Sequence, residues 1–175
     1  MAKMNASRRG RLNRAEGAAF EDIITKSCER YKLQRIAFIE KTPEPFRVTK
    51  NIGKGRFEGF YIGQAQPDYK GTLIGGRAIC FDAKCTIQDK LQVSALTDNQ
   101  RECLLKHREL GAWAGVLICF RGTNANTYAM MPIETFINAK AINGHASWSI
   151  AETEQNRVHD HGLYIDFIGS YLNIN

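Results

Sequence analysis

Between Ala114 and Phe120 the chain carries an almost unbroken apolar run, Ala-Gly-Val-Leu-Ile-Cys-Phe. Because successive side chains of a strand point to opposite faces of its sheet, a run without polar alternation predicts a strand that is covered on both faces. Helices on the two sides of a sheet supply such cover. The run therefore favours an α/β fold in which a mixed sheet is flanked by helices.

Further patterns predict the elements around this strand. Phe20, Ile24 and Tyr31 recur at helical spacing, which predicts a helix from about Glu16 to Tyr31. Thr97 is a good N-cap for a second helix that ends near Gly111. Since no repeat or linker divides the chain, we expect residues 15–175 to form one domain. The other expected elements are a strand at Arg35–Ile39, a strand at Thr127–Met131, a helix from Pro132 to Ala141 and a final helix at Leu163–Leu172.

The segment from about residue 47 to residue 66 combines cations, glycines and aromatic side chains. Lys50, Lys54 and Arg56 lie around Gly53 and Gly55. This composition favours a β-hairpin with a basic tip, and glycine allows a backbone to approach a phosphate closely. The segment is then either an ordinary surface hairpin or a projection that inserts into DNA.

The first fourteen residues carry cations and no acid, in a chain whose net charge is +6. Such one-signed clustering predicts that residues 1–14 form an arm that is flexible when free and binds a polyanion, since each cation docked on a phosphate releases counterions. A solubilising tail is the alternative. The cations that we expect to contact DNA are Arg8, Arg9, Arg11 and Arg14.

The five cysteines form no CxxC pair, so reduced thiols are expected rather than a zinc knuckle or a disulfide framework. No apolar run approaches the roughly 20 residues that cross a bilayer, and the N-terminus lacks the apolar stretch of a secretory signal. These features predict a cytoplasmic protein without a membrane partner.

The most informative polar residues lie in a predicted hairpin, whose strands are Asp68–Leu73 and Arg77–Cys85 around a double-glycine turn. Asp82 and Lys84 are two residues apart and so project from one face of their strand. Pairing of the two strands can bring Asp68 beside them. Two carboxylates and an ammonium would then converge at one edge of the sheet.

This set of groups suits phosphodiester hydrolysis. Two carboxylates can hold Mg²⁺, or Mn²⁺, which keeps part of its water shell and acidifies a bound water. Lys84 can orient that water or stabilise the negative charge that develops on the phosphate. The alternative is a surface salt bridge between Asp82 and Lys84, since charged residues usually occupy a solvated face.

Two helical residues are candidates to join this set. Glu21 lies beside the apolar stripe of the first helix and would be a third carboxylate for metal or water. Gln100 faces inward on the second helix, in a row with Leu96 and Leu104. An inward amide needs a hydrogen-bond partner, which is either an active-site phosphate or water, or another core group.

As a whole, the chain resembles the RecU family of Holliday-junction resolvases, within the PD-(D/E)XK nuclease superfamily. Each similar segment is short, but the segments follow one another in the family's order over most of the length. The segments that carry the resemblance are Gly17–Glu21, Ile36–Pro45, Glu58–Tyr61, Asp68–Gly71, Ile79–Lys84, Asp98–Gln100 and Tyr164–Ile168.

The resemblance implies a restriction-endonuclease-like core with a protruding β-hairpin stalk. It also implies a Mg²⁺-dependent homodimer that nicks two opposed strands of a four-way DNA junction symmetrically, and two-fold symmetry suits such a substrate. By resemblance, Asp68, Asp82 and Lys84 form the catalytic triplet, with Glu21 as the helix carboxylate and Gln100 as the helix glutamine.

The resemblance also assigns partners. The hairpin corresponds to the stalk that enters the open centre of the junction. Recombinase and branch-migration proteins are the protein partners with which the family is associated. Besides the basic arm, the residues expected to bind DNA are Lys50, Lys54, Arg56 and Lys70.

Three features depart from the family pattern. Asp82 stands where the family usually has glutamate, and aspartate is shorter by one methylene but is still a metal ligand. The family's Asn-Arg-Gly before the helix glutamate is Ala15-Glu16-Gly17 here, and Asn13-Arg14 lies two residues earlier. The stalk is shorter than is usual in the family, a compactness that would suit a phage genome.

Two other functions stay open as alternatives. One is a PD-(D/E)XK nuclease that cuts linear duplex DNA, and the other is a non-catalytic DNA-binding protein that modulates recombination. The intact Asp68, Asp82 and Lys84 argue against the second. An HNH-type nuclease is disfavoured because His159-Asp160-His161, which we expect to be a polar loop, lacks a partner histidine at the required spacing.

Overall fold

The computed structural model describes residues 6–43, 45–61, 66–122 and 125–169, with the backbone alone for residues 6–16 and 61. Two short 3₁₀ helices, Val93–Ala95 and Ala151–Asn156, join longer elements. The helices and strands are α1 (Ala6–Gln34), β1 (Ala37–Lys41), β2 (Phe46–Gly53), β3 (Arg56–Tyr61), β4 (Tyr69–Leu73), β5 (Ala78–Thr86), β6 (Lys90–Gln92), α2 (Asp98–Glu109), β7 (Trp113–Arg121), β8 (Asn126–Pro132), α3 (Ile133–Ile137), α4 (Ala139–Asn143), β9 (Ser147–Ser149), β10 (Arg157–Asp160) and β11 (Ile165–Asp166).

Strand β7 lies in the middle of a seven-stranded sheet of order β1-β4-β5-β7-β8-β10-β11. It pairs in parallel with β5 and antiparallel with β8, and every residue from Trp113 to Phe120 is buried. An apolar side chain at each position is stable only where both faces of the strand are covered. The predicted mixed sheet with a doubly covered strand is confirmed.

Helices cover this sheet on both sides. On one face, Phe20, Ile24 and Tyr31 of α1 pack in one core with Phe81 of β5. On the other face, Leu104 of α2 and Phe136 of α3 pack in a second core with Cys80 and Val116. The expected α/β architecture of a restriction-endonuclease-like core, a mixed sheet flanked by helices, is confirmed. Among the described residues, no helix is both long and apolar enough to cross a membrane.

Strands β4 and β5 form the predicted hairpin. They pair antiparallel, with Tyr69 opposite Phe81, and the turn between them contains Gly75 and Gly76 at φ values of 84° and 87°. Side chains disfavour this left-handed region, so two glycines in succession suit such a turn. The register puts Asp68, just before β4, level with Asp82.

Strands β2 and β3 form a separate two-stranded sheet. All described positions of this hairpin are exposed, so neither of its faces packs on the domain, and it projects as expected for a stalk. Gly53, Lys54 and Gly55 form its tip at positive φ. The hairpin segment was expected to extend to residue 66. Residues 62–65 of that segment lie outside the described part of the chain.

Helix α1 is longer than predicted. It begins at Ala6 rather than near Glu16, so the backbone of residues 6–14 is helical although we expected a flexible arm there. Alanine, arginine and leucine favour helix, and no proline interrupts this stretch. Residues 1–5 lie outside the described part of the chain.

Three expectations in the C-terminal third are wrong. The helix from Pro132 to Ala141 is interrupted at Asn138, which divides α3 from α4. His159 and Asp160 belong to strand β10 rather than to a loop. The described part of the expected helix Leu163–Leu172 contains strand β11, which pairs with β10.

Contacts with α1 explain the extended C-terminal segment. Ser27 accepts a hydrogen bond from the main-chain N–H of Ile165 (2.9 Å), and the Tyr31 hydroxyl accepts one from that of Phe167 (2.8 Å). The same hydroxyl lies 3.0 Å from the Asp166 carboxylate. Buried main-chain groups thus find partners without helical hydrogen bonds, and these tertiary contacts outweigh local helix propensity.

Replacing Tyr31 by phenylalanine tests this anchor. Tyr31→Phe leaves the N–H of Phe167 buried without a partner, which should lower the free energy of unfolding by about 1–3 kcal/mol. Urea denaturation measures the difference. Tyr164→Phe, which removes a hydroxyl from a ring stacked on His161, is the control and should cost much less. Equal losses in the two variants would contradict the anchoring role.

Candidate active site

Asp68 and Asp82 face each other across the β4–β5 hairpin. The Asp68 Oδ2 accepts a hydrogen bond of 2.9 Å from the main-chain N–H of Ala83, which fixes its carboxylate beside β5. Asp82 has no exposed surface, and among the described residues its Oδ2 has no hydrogen-bond partner. Two carboxylates with few compensating donors are therefore held at one place, as the sequence predicted.

The electrostatics of Asp82 reflect this crowding. Burial raises the pKa of Asp82 from 3.8 to about 7, and the negative charge of Asp68 acts in the same direction, while Lys84 opposes the change. Burial disfavours the ionised form, and a like charge nearby does the same. A cation between the two carboxylates would relieve both penalties.

Lys84 and Gln100 complete the cluster on the α2 face of the sheet. The Gln100 Nε2 donates a hydrogen bond of 2.8 Å to Asp82 Oδ1, and its Oε1 accepts one of 3.2 Å from Lys84 Nζ. Lys84 Nζ also lies 3.8 Å from Asp82 Oδ1. The alternative, a solvated surface salt bridge, does not describe this pair, since Asp82 is buried and the Lys84 side chain is only 17% exposed.

The first turn of α2 holds Gln100 in place. Thr97 is the N-cap of α2, and with Gln100 it forms a capping box in which each residue's side chain bonds to the other's main chain. The Gln100 Oε1 accepts from the Thr97 N–H at 3.1 Å and lies 3.2 Å from the Thr97 hydroxyl. Thr97 was predicted only as an N-cap, yet a threonine three residues before a glutamine at a helix start is the sequence signature of this box.

Glu21 lies apart from the two aspartates. Its Oε2 accepts a hydrogen bond of 2.6 Å from Lys41 Nζ, and Lys41 is opposite Tyr69 in the β1–β4 register. Burial, then the charge of Glu21 and more weakly that of Asp68, raise the pKa of Tyr69, so both carboxylates lie near this ring. Lys41 was missed because its contact with Glu21 depends on how α1 crosses the sheet.

The basic candidates are spread over the molecule. Lys70, two residues after Asp68, donates a hydrogen bond of 2.8 Å to Gln66. Lys50, Lys54 and Arg56 are exposed on the β2–β3 hairpin. The remaining four stand on the helical backbone of α1, and their side chains lie outside the described part: Arg8, Arg9, Arg11 and Arg14.

The donor set at the centre fits a hard divalent cation. Asp68 and Asp82 supply carboxylate oxygens, which Mg²⁺ prefers, and the Asp82 Oδ2 accepts no hydrogen bond from the described residues. Within the described ranges, no group of three histidine, cysteine, aspartate or glutamate side chains is placed to hold a metal, so Glu21 is not brought together with the two aspartates. None of the five cysteines forms a disulfide.

Comparisons with known proteins give one family. The family described as RecU, Recombination protein U, matches residues 15–172. No curated protein matches the chain. Among solved structures, that of Archaeoglobus fulgidus Hjc, a Holliday junction resolvase from an archaeal hyperthermophile, is similar over 61% of this chain and 70% of its own, at 15% sequence identity and a TM-score of 0.33. At that level, the structural similarity adds nothing to the family match.

The raised pKa of Asp82 predicts how metal-free stability changes with pH. Between about pH 4 and pH 7, the folded protein keeps a proton on Asp82 that the unfolded chain has released. Raising the pH through this window should therefore lower the free energy of unfolding, by an amount of the order of a few kcal/mol. Urea unfolding in EDTA at several pH values measures it.

Two variants identify the group responsible. Asp82→Asn cannot ionise and should flatten the pH dependence in this window. Asp22→Asn, at an exposed ion pair with Lys26, should keep the wild-type slope. The assignment fails if Asp82→Asn retains that slope.

Proposed function

The chain belongs to the Recombination protein U family, a family of Holliday-junction resolvases, and from this membership and the geometry above we propose that it is a Mg²⁺-dependent endonuclease that resolves four-way DNA junctions. The observation that carries the proposal is the buried pairing of Asp82 with Asp68, beside a lysine that Gln100 holds. A structural site would gain nothing from two facing carboxylates, because their repulsion costs stability. A catalytic metal site requires them.

Asp68 and Asp82 are the residues that would hold the metal, with Mg²⁺ expected and Mn²⁺ a substitute. When bound, the ion supplies positive charge against the scissile phosphate and acidifies a water. Asp82 has one oxygen engaged by Gln100 and one that has no partner among the described residues, so the second is the oxygen available for coordination. Asp68 is held through Oδ2 by the Ala83 N–H, which keeps its carboxylate beside β5, where it would share the metal with Asp82.

Lys84 is the protein's own source of positive charge beside the two aspartates. Its ammonium is anchored by Gln100 Oε1 and is partly open to the outside, so it can meet a phosphate oxygen or a water at the site. The ammonium is compact and already in position before the reaction. It can therefore stabilise the negative charge that develops on the phosphate, and the protein need not rearrange during the reaction. Gln100 is the positioning residue that links Lys84 to Asp82.

We assign Glu21 a role as the third carboxylate, acting on metal or water when DNA is bound. In the structure it is paired with Lys41, and both partners are about half exposed. An exposed ion pair of this kind is weak, typically less than about 1 kcal/mol. A DNA phosphate that takes up Lys41 would therefore release Glu21 at little cost.

Junction selectivity is assigned to the β2–β3 hairpin, the stalk. It projects with Lys50, Lys54 and Arg56 at and near its tip, where cations can contact phosphates at the junction centre. Lys70 and the four arginines near the start of α1, namely Arg8, Arg9, Arg11 and Arg14, would contact the arms. These assignments rest on charge and on position.

A homodimer would present two such sites to two opposed strands, since a two-fold assembly matches a substrate with two equivalent cleavage points. The same proposal includes paired symmetric nicks, action in the cytoplasm and contacts with recombinase or branch-migration proteins.

A nuclease that cuts linear duplex is the second candidate, favoured only by the small size of the stalk.

The first test is cleavage of a labelled four-way junction and of a matched linear duplex, in Mg²⁺ and in EDTA. We expect paired nicks on the junction, absent in EDTA, with Asp82→Asn and Lys84→Met each at least about a hundredfold slower because they remove metal binding or charge stabilisation. Asp22→Asn is the matched control and should cut like the wild type.

Each other result has a definite meaning. Equal cleavage of duplex and junction would replace the resolvase by a duplex nuclease. Tight junction binding without cleavage in Mg²⁺ or Mn²⁺ would mean a DNA-binding protein on a nuclease fold.

A second test concerns the stalk. Substituting Lys50, Lys54 and Arg56 by serine should weaken junction binding and reduce the slope of log affinity against log salt by up to about three, one for each phosphate that is no longer neutralised. Gel-shift titration at several salt concentrations measures it. Serine at Lys26, Lys106 and Lys140 makes the same charge change away from the stalk and is the control. Equal losses in the two triple variants would show only a general charge effect.

A further inference from the structure

The side-chain amide of Gln100 is bonded at both of its ends. Its Nε2 donates to Asp82 Oδ1 at 2.8 Å, and its Oε1 lies 3.2 Å from Lys84 Nζ. An amide can rotate by half a turn and exchange these two atoms without changing its shape. The reversed amide would direct an oxygen at a carboxylate and an NH₂ group at an ammonium. The active site therefore works only if one of the two orientations is enforced.

Thr97 supplies that enforcement from outside the cluster of charges. Its main-chain N–H, which can only donate, lies 3.1 Å from Gln100 Oε1, and its hydroxyl lies 3.2 Å from the same oxygen. The hydroxyl also accepts a hydrogen bond of 3.3 Å from the Gln100 main-chain N–H. In the reversed orientation, the Gln100 NH₂ would meet the N–H donor of Thr97 as well as Lys84. The capping box thus fixes which end of the amide faces Asp82.

We propose that Thr97 is a positioning residue of the active site, which acts through Gln100 to keep one oxygen of Asp82 engaged, the other open, and Lys84 in place. The proposal rests on the nuclease function proposed above and extends it to the N-terminus of α2. The same hydrogen bonds that begin the helix orient the catalytic groups, so the first turn of α2 and the active site form together.

The decisive variants separate the hydroxyl of Thr97 from the rest of its side chain. Thr97→Val keeps the shape of the side chain but removes the hydroxyl from both Gln100 Oε1 and the Gln100 N–H, whereas Thr97→Ser keeps it. We expect nicking of the junction to fall about tenfold in Thr97→Val, the effect of roughly one hydrogen bond, and to stay within about threefold of wild type in Thr97→Ser.

Loss of a helix cap also destabilises a protein, so a matched control is needed. Thr153→Val makes the same chemical change at a buried hydroxyl that donates to the Ile150 carbonyl, in the 3₁₀ helix Ala151–Asn156. A double-mutant cycle separates positioning from stability. If Thr97 acts through Gln100, Thr97→Val should cause no further loss in a Gln100→Ala background.

A second readout does not depend on catalysis. In the metal-free protein, the two Nε2 protons of Gln100 should exchange slowly with solvent in NMR experiments, and Thr97→Ser should preserve this slow exchange. Thr97→Val should speed their exchange at least about tenfold, because Gln100 then loses the two hydrogen bonds of the hydroxyl and its side chain opens to solvent more often. If the wild type cuts no DNA in any metal, the proposed function fails, and this measurement still decides the role of Thr97.

The proposal is overturned by any of three results. These are unchanged nicking and exchange in Thr97→Val, an equal loss of nicking in Thr153→Val, and an additive effect of Thr97→Val on Gln100→Ala. The proposal is established if Thr97→Ser keeps both slow amide exchange and full nicking, and Thr97→Val loses both.

Discussion

Two carboxylates face each other across a pair of antiparallel strands, and one of them, Asp82, is fully buried. Such an arrangement is costly, because burial and the neighbouring charge both oppose ionisation. The surrounding contacts compensate only in part. Gln100 donates to one oxygen of Asp82 and Lys84 lies nearby, but the other oxygen has no partner among the described residues. The site is thus incompletely satisfied without a cation, which is how proteins commonly exchange stability for function.

The sheet is what makes this arrangement possible. The Gly75-Gly76 turn fixes the register of β4 against β5, and that register places Asp68 level with Asp82. Pairing of β5 with the buried strand β7 holds the strand that carries Asp82 in the interior of the sheet rather than at its edge. Helices on both faces then approach this one strand from opposite sides, with Gln100 on α2 and Glu21 on α1. Gln100 in this way meets Asp82 and Lys84, whereas Glu21 stays apart from them, paired with Lys41.

Much of this could be predicted from local patterns. The apolar run of β7, the double-glycine turn and the Asp82-Ala83-Lys84 alternation each specify a strand or a face without reference to the rest of the chain. What escaped prediction depends on contacts between distant segments. Strand β11 is only two residues long, and its main chain bonds to side chains of α1. The pairing of Glu21 with Lys41 similarly depends on where α1 crosses β1, a crossing that no periodicity reveals.

The proposed active site and the hairpin proposed to select junctions lie in structurally different parts of the molecule. The proposed active site is built from strands and helices that share two cores, so its geometry is held by packing. The β2–β3 hairpin is exposed on both faces, and an isolated two-stranded hairpin is only marginally stable in water. Its length and composition can therefore change without cost to the core, whereas a change at Asp82 disturbs a filled interior. The exposed hairpin can thus vary without disturbing the proposed catalytic residues, so the proposed junction selectivity and the proposed hydrolytic chemistry can change independently.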